Sequence, residues 1–157
     1  MCLLLSTGVL CMVLGIGVSP PAGGGGTGDA PPPGGISLLP GYAHQPGQGI
    51  DSKVGAFVRQ DGWRIEYEIG RVTRPGAPAM GGDFRDEAQD MNAGQRQWYK
   101  EQTVRGQPVH LALSRDSILI ASFPTAGANF RAKVRTQEEL AEFLLTVLSQ
   151  APAGKPK

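Results

Sequence analysis

The chain has 157 residues, with 15 lysines and arginines against 14 aspartates and glutamates, so its net charge is close to zero. This balance argues against nucleic-acid binding, which normally uses a clustered excess of basic side chains to displace counterions. Both cysteines, Cys2 and Cys11, lie near the amino terminus, so the rest of the chain has to fold without disulfide bonds or thiolate metal ligands.

The chain begins with a predominantly apolar segment from Leu3 to Val18, followed by a proline- and glycine-rich stretch. We expect residues 1–18 to form a signal peptide or membrane anchor, and residues 19–35 to form a disordered linker. Three alternatives stay open for the leader: a cleaved secretory peptide, a retained anchor and a lipid attached at Cys11. All three predict an exported protein that is periplasmic, membrane-anchored or extracellular, and that touches a membrane only through its N-terminal segment.

The remaining sequence is the length of one domain. We expect a single folded domain at residues 36–150 and a disordered tail at residues 151–157. Removing Asp29 with the linker and Lys155 and Lys157 with the tail leaves thirteen charges of each sign, so the domain itself is neutral.

A β-hairpin is the clearest local pattern. The segments Val54–Gln60 and Trp63–Ile69 alternate in polarity and flank Asp61-Gly62, a dipeptide typical of a two-residue turn. Such a turn places Val58 opposite Ile65 and gathers the apolar side chains of both strands on one face.

A second hairpin is predicted from Val109–Leu113 and Ile118–Phe123. If Arg115-Asp116 forms the two-residue turn, Leu113 lies opposite Ile118 on a shared inward face.

Two further strands and a C-terminal helix are also predicted. Trp98–Val104 reads as a more exposed strand that leads into the second hairpin, and Phe130–Val134 as a short last strand. The segment Thr136–Glu139 matches a capping box, which predicts the start of a helix. One apolar stripe follows at helical spacing, formed by Leu140, Phe143, Leu144, Val147 and Leu148. The expected fold class is α+β, with a mostly antiparallel sheet of about five strands and one C-terminal amphipathic helix packed on it.

The sequence offers few groups for catalysis. His44 and His110 are its only histidines, and no Gly-x-Ser-x-Gly motif is present. Val109 and Leu111 should occupy the strand face opposite His110, so we expect this histidine to point away from the core. Asp83, Asp86, Glu87 and Asp90 fall on one helical face, but their spacing does not match a calcium loop, and they read as an acidic helix start. No catalytic residue, metal ligand or cofactor is assigned.

The segment 41–52 is the predicted binding surface. Its glycines allow a close approach of backbone, and we take Tyr42, His44, Asp51 and Ser52 as candidate binding residues. The alternative is that Asp51 and Ser52 only end a loop before the first strand of the hairpin.

Several short segments resemble a group of small exported bacterial proteins of unassigned function. They are Leu39-Pro40-Gly41-Tyr42, Gly49-Ile50-Asp51-Ser52, Val54-Gly55, Ile65–Gly70 and Asn129-Phe130. The resemblance spans most of residues 39–149 and implies one exported domain, without implying a chemistry.

The expected function is therefore a non-catalytic module of the cell envelope or extracellular space, acting as a binding or structural accessory. Its partner is unknown, and another envelope protein is one candidate. The alternative is a small hydrolase or metal-dependent enzyme that uses His44, Asp51 and His110. A third hypothesis is an inhibitor or chaperone-like protein that binds its partner through the edge of the sheet at Trp98–Val104.

Overall fold

The computed structural model describes residues 36, 38–72 and 80–148. The predicted leader, linker and C-terminal tail lie outside these residues. In the described part of the chain, no helix is long and apolar enough to cross a membrane.

The described residues form seven strands and two helices. In chain order these are β1 (Tyr42–Pro46), β2 (Lys53–Arg59), β3 (Arg64–Ile69), α1 (Glu87–Asp90), β4 (Arg96–Val104), β5 (Gln107–Ser114), β6 (Ile118–Phe123), β7 (Ala128–Lys133) and α2 (Gln137–Leu148).

All seven strands belong to one antiparallel sheet, in the order β1-β2-β3-β7-β6-β5-β4. The prediction of an α+β fold with about five strands is therefore wrong, because the described chain is mostly sheet. The main omission is β1, which lies inside the segment predicted as a loop. As an edge strand it has a neighbour on one side only, and the glycines and the proline around it hide its short alternation.

The predicted register of the first hairpin is wrong by one residue, because Ile65 lies opposite Phe57 and not Val58. The reason is a loop of three residues. The amide of Gly62 donates to the carbonyl of Arg59 at 2.9 Å, and Gly62 has a φ of +89°. This geometry is a turn followed by a left-handed bulge residue, so the loop is one residue longer than predicted. The side chains of β2 therefore lie on the opposite faces from those predicted relative to β3.

The second hairpin differs from its prediction in the same way. Leu113 lies opposite Leu119, and the third loop residue, Ser117, has a φ of +62°. Ile118 and Ile120 therefore point to the opposite side of the sheet from Leu113.

The main core lies between one face of the sheet and α2. Thr136 caps the helix by accepting a hydrogen bond from the Glu139 amide at 3.1 Å. The predicted stripe faces the sheet, with Phe143 and Val147 buried and its three leucines partly buried against the same core. The sheet contributes mainly these buried residues: Phe57, Trp63, Ile65, Tyr67, Val109, Leu111, Leu119, Phe123 and Phe130.

Among the described residues, helix α1 covers only part of the other face of the sheet. Helix α1 packs on β5 and β6, where Ala88 contacts Ala112 and Ile120 in a small second cluster. The helix does not extend over β2 and β3. This half of the face carries the polar side chains of β3 and β7, and it holds the candidate site.

Candidate functional site

A charged groove lies on the open half of the sheet beside α1. We use this name for the surface formed by Glu66, Glu68, Glu87, Asn129 and Arg131. Two cavities of about 380 and 440 Å³ meet there, and Glu68, Glu87 and Asn129 line both of them. The end of β1 and the loop after it line the first cavity, and residues 80–85 line the second.

Pairing of β3 with β7 builds the floor of the groove. Glu66 lies directly opposite Arg131, and Glu68 lies directly opposite Asn129. Since side chains two residues apart share one face of a strand, these four side chains project on the same side, away from α2. The alternation that buries Ile65 and Tyr67 in the core therefore exposes the two glutamates in the groove.

The arginines are concentrated on one of the three carboxylates. Nε of Arg131 lies 2.9 Å from Glu66, and Nε of Arg64 lies 3.5 Å from the same residue. Glu68 instead accepts a hydrogen bond from the Ser52 hydroxyl at 2.8 Å. Within the described ranges, Glu68 forms no salt bridge, and the ion pair of Glu87 is a long one, with Nη1 of Arg131 at 3.9 Å.

The carboxyl of Glu87 is partly buried in the groove. Its side chain is 26 % exposed, at the start of α1. Burial raises the pKa of its carboxyl above the ordinary value of 4.5; Arg131 opposes this shift, and the charges of Glu68 and Glu66 add to it. A half-buried carboxylate near two others is stabilised by any cation that enters the groove.

Buried hydrogen bonds fix the wall of the groove. The Ser122 hydroxyl donates to Oδ1 of Asn129 at 2.6 Å and accepts from the amide of Ala88 at 3.0 Å. The side-chain amide of Asn129 in turn donates to the carbonyl of Arg85 at 2.7 Å. The segment that carries Glu87 is thus tied to β6 and β7, and the position of its carboxylate is defined by the fold.

Next to this wall lies a constellation that resembles a hydrolytic triad in residue types. Nδ1 of His110 is 2.5 Å from Oδ2 of Asp86, and Ser122 lies opposite His110 on β6. The hydroxyl of Ser122 is directed to Asn129, however, and the residue has no exposed surface. As predicted, His110 lies on the opposite face from Val109 and Leu111, but its side chain is only 14 % exposed. We conclude that the histidine and the aspartate hold α1 on the sheet.

Two of the predicted binding residues make internal contacts on the α2 side of the sheet. The Tyr42 hydroxyl donates to Oε2 of Glu142 on α2 at 2.7 Å. Nε2 of His44 lies 2.8 Å from the Tyr67 hydroxyl, and the two rings are stacked. Both side chains therefore help to hold β1 to its neighbours, and their role in binding stays a prediction.

The other two predicted residues lie nearer to the groove. Ser52 reaches it through its hydrogen bond to Glu68. Asp51 packs against the turn at Gly82, where an added Cβ would overlap the Asp51 side chain. The four candidates thus do not form one cluster, and Ser52 contacts a residue of the charged groove.

The structure does not bring together the histidines of the alternative enzyme hypothesis. His44 lies on β1 and His110 on β5, with four strands between them, and they project from opposite faces of the sheet. In the part of the chain that the structure describes, no group of three histidine, cysteine, aspartate or glutamate side chains could hold a metal ion.

The residues of the charged groove were not predicted as a site. Glu66 and Glu68 had the pattern of solvated charges on a hairpin, and Glu87 that of an acidic helix start. The sequence does show polar side chains at alternate positions in two strands. Glu66 and Glu68 have this spacing in β3, and Asn129 and Arg131 have it in β7. Because no local pattern shows that β3 pairs with β7, this signal cannot be interpreted without the topology.

No family model matches the chain, and searches of the curated proteins and of the solved structures gave no significant match. The resemblance to small exported bacterial proteins accordingly stays a prediction.

Proposed function

We propose that this protein is a non-catalytic binding module displayed outside the cytoplasm, and that its charged groove binds a cationic group of its ligand. The proposed location rests on the apolar leader and on the proline- and glycine-rich linker. The proposed binding role rests on one observation in particular. Glu66, Glu68 and Glu87 line the groove, while Arg131 of its floor and the neighbouring Arg64 are directed mainly to Glu66.

Glu68 and Glu87 are the residues that would hold the cation. Neither has a close ion pair in the described part of the chain, and both line the two cavities that make up the groove. An ammonium group can sit between two carboxylates, and a guanidinium group can donate two parallel hydrogen bonds to one of them. Since burial already disfavours the charge of Glu87, a cation that pairs with it relieves an existing penalty. The chemistry fits a lysine or arginine side chain of a partner, or a small amine.

The burial of the serine opposite His110 supports a binding role over catalysis. Ser122 lies directly opposite His110 on β6. It is fully buried, and its hydroxyl donates a hydrogen bond to Asn129. The mixed charge of the groove is also typical of a surface that recognises a polar ligand by complementarity.

Calorimetric titration of the full chain with tetralysine tests the groove. We expect heat of binding with tetralysine and none with tetraglutamate at low ionic strength, because the screening of surface charges grows with salt. The double variant Glu68→Gln and Glu87→Gln should bind tetralysine roughly tenfold more weakly, since each carboxylate supplies a charge-assisted hydrogen bond. Glu138→Gln is the matched control, because it removes one exposed carboxylate at the start of α2.

Equal affinity of the double variant and the wild type would show that the groove is not the binding surface. Location is tested separately by fractionating cells that express the full chain. Recovery of the uncleaved chain in the cytosol would contradict the proposed export without affecting the result for the groove.

A further inference from the structure

The β4 edge of the sheet is long, and no second strand in the described part of the chain pairs with it. β4 has nine residues and pairs with β5 on one side. The opposite edge, β1, has only five residues and ends in Pro46, which has no amide hydrogen to offer. Short edges with proline are a common protection against unwanted strand pairing, and only β1 has this protection.

The turn between β4 and β5 determines which backbone groups point outward. Arg105 and Gly106 both have positive φ, which defines a two-residue turn closed by the pair Val104 and Gln107. Because bonded and non-bonded pairs alternate in an antiparallel ladder, the next pair, Thr103 with Pro108, is non-bonded. A proline at this position agrees with that assignment, since it cannot donate a hydrogen bond to β4.

The same alternation directs the amides and carbonyls of Tyr99, Glu101 and Thr103 away from β5. No loop or helix in the described ranges forms a backbone hydrogen bond with any of them. These six groups present the hydrogen-bonding pattern of a strand that has one neighbour missing.

The charges on β4 disfavour the longest register in which this strand could pair with a second copy of the chain. In the symmetric register that overlaps the whole strand, Lys100 lies opposite Lys100 of the other copy. Moving the symmetry axis by one residue places Glu101 opposite Glu101. Like charges directly opposite each other destabilise an antiparallel pair, so both of these long registers are penalised.

We propose that β4 is a docking edge for an extended segment of another protein, which adds to the sheet as an antiparallel eighth strand. Charge complementarity defines the segment. It carries a basic residue opposite Glu101 and, immediately after it, an acidic residue opposite Lys100. The side chains opposite Tyr99 and Trp98 are β-branched, because β-branched residues pair favourably with aromatic rings across strands, and both rings are half-buried.

A capped hexapeptide, Thr-Thr-Lys-Glu-Val-Thr, is a suitable probe for the full chain. The control peptide, Thr-Thr-Glu-Lys-Val-Thr, has the same composition but exchanges the two charges. We expect the first peptide to bind about tenfold more tightly, because both charged pairs reverse in the second. The protein variant with Lys100→Glu and Glu101→Lys should show the opposite preference.

Backbone methylation separates strand addition from simple charge attraction. Methylating the amide nitrogen of the peptide lysine, which faces β4, should abolish binding, whereas methylating that of the glutamate should not. Hydrogen exchange should slow at the amides of Tyr99, Glu101 and Thr103. Equal binding of the two peptides, binding that survives lysine methylation, or no binding at all would overturn the proposal.

Cation binding in the charged groove and strand docking at β4 can be tested separately. The Glu68→Gln and Glu87→Gln variant should bind the hexapeptide as the wild type does, because the charged groove lies beyond β5 and β6 from this edge. If that variant loses the hexapeptide, the peptide binds in the groove and β4 is not its docking edge.

Discussion

Gly55 and Tyr67 lie opposite each other on β2 and β3, and the tyrosine ring crosses over the glycine. The crossing brings the Tyr67 hydroxyl within 2.8 Å of Nε2 of His44 on the next strand. A Cβ at position 55 would overlap that hydroxyl and would lie 2.7 Å from the carbonyl oxygen of Gln45. The contact between His44 on β1 and Tyr67 on β3 is therefore possible because the residue between them on β2, Gly55, has no side chain.

Gly55→Ala is expected to lower the free energy of unfolding by about 1–3 kcal/mol, the usual cost of placing an extra methyl group in a packed site. Urea denaturation followed by tryptophan fluorescence measures this change. Gly94→Ala is the control, because a Cβ there meets only a flexible side-chain oxygen of Asn92 at 3.3 Å. Equal unfolding midpoints for the two variants would show that Tyr67 can move aside at little cost.

The hairpins show how far local pattern reaches. Alternation correctly located most strands, and the capping box and apolar stripe located α2. Neither pattern reports the length of a turn. Asp61-Gly62 fits a two-residue turn as well as the last two residues of a three-residue loop, and the choice decides which face of β2 is buried.

Ser117 offers a test of that turn geometry. It has a φ of +62°, a conformation that glycine adopts without the steric cost borne by other residues. Ser117→Gly should therefore raise the free energy of unfolding by about 1 kcal/mol. Gly62→Ser, the reciprocal change at the equivalent loop position, should lower it. If Ser117→Gly destabilises the protein, the left-handed residue is not the limiting feature of this loop.

The candidate site was less predictable than the fold. Tyr42 was selected because its side chain is amphipathic and its segment was predicted to be a loop held by a rigid scaffold. The structure instead places it on a strand, where its hydroxyl contacts Glu142 one hundred residues later in the chain. Such contacts follow from the packing of α2 across β1, which no local pattern specifies.

The contacts around Arg59 predict a loss of stability in acid. Arg59 holds the pKa of Asp61 at about 2, well below its ordinary value of 3.8. The hydrogen bond from Tyr42, joined by one from Arg59, lowers the pKa of Glu142. Because both folded pKa values lie below the unfolded ones, the stabilisation is complete above the ordinary values and is lost as the pH falls through the folded ones.

Urea midpoints measured between about pH 5 and pH 2 should therefore fall less steeply for the double variant Asp61→Asn and Glu142→Gln than for the wild type. The same variant should be less stable than the wild type at neutral pH. Asp116→Asn, which removes a carboxylate from an exposed turn, is the control variant. Parallel curves for the wild type and the double variant would contradict the assigned role of the Arg59 contacts.

Glu87 predicts the opposite dependence on pH. Its folded pKa is raised, so the ionised carboxylate is disfavoured by folding, and the penalty appears as the pH rises through the folded pKa. Glu87→Gln keeps the shape of the side chain and removes the charge. We expect this variant to unfold at a higher urea concentration than the wild type at neutral pH, and at a similar one near pH 4.

The contrast with Glu66→Gln separates a binding carboxylate from a structural one. Glu66 pairs with Arg131 at 2.9 Å, so its replacement should lower stability slightly at neutral pH. If the groove binds cations, Glu87→Gln should gain stability while it loses affinity for tetralysine. A loss of stability in Glu87→Gln would mean that its long ion pair with Arg131 outweighs the cost of burial. Glu87 would then be a structural residue. A carboxylate that serves only to bind a ligand is expected to lower the stability of the free protein, so its removal should raise that stability.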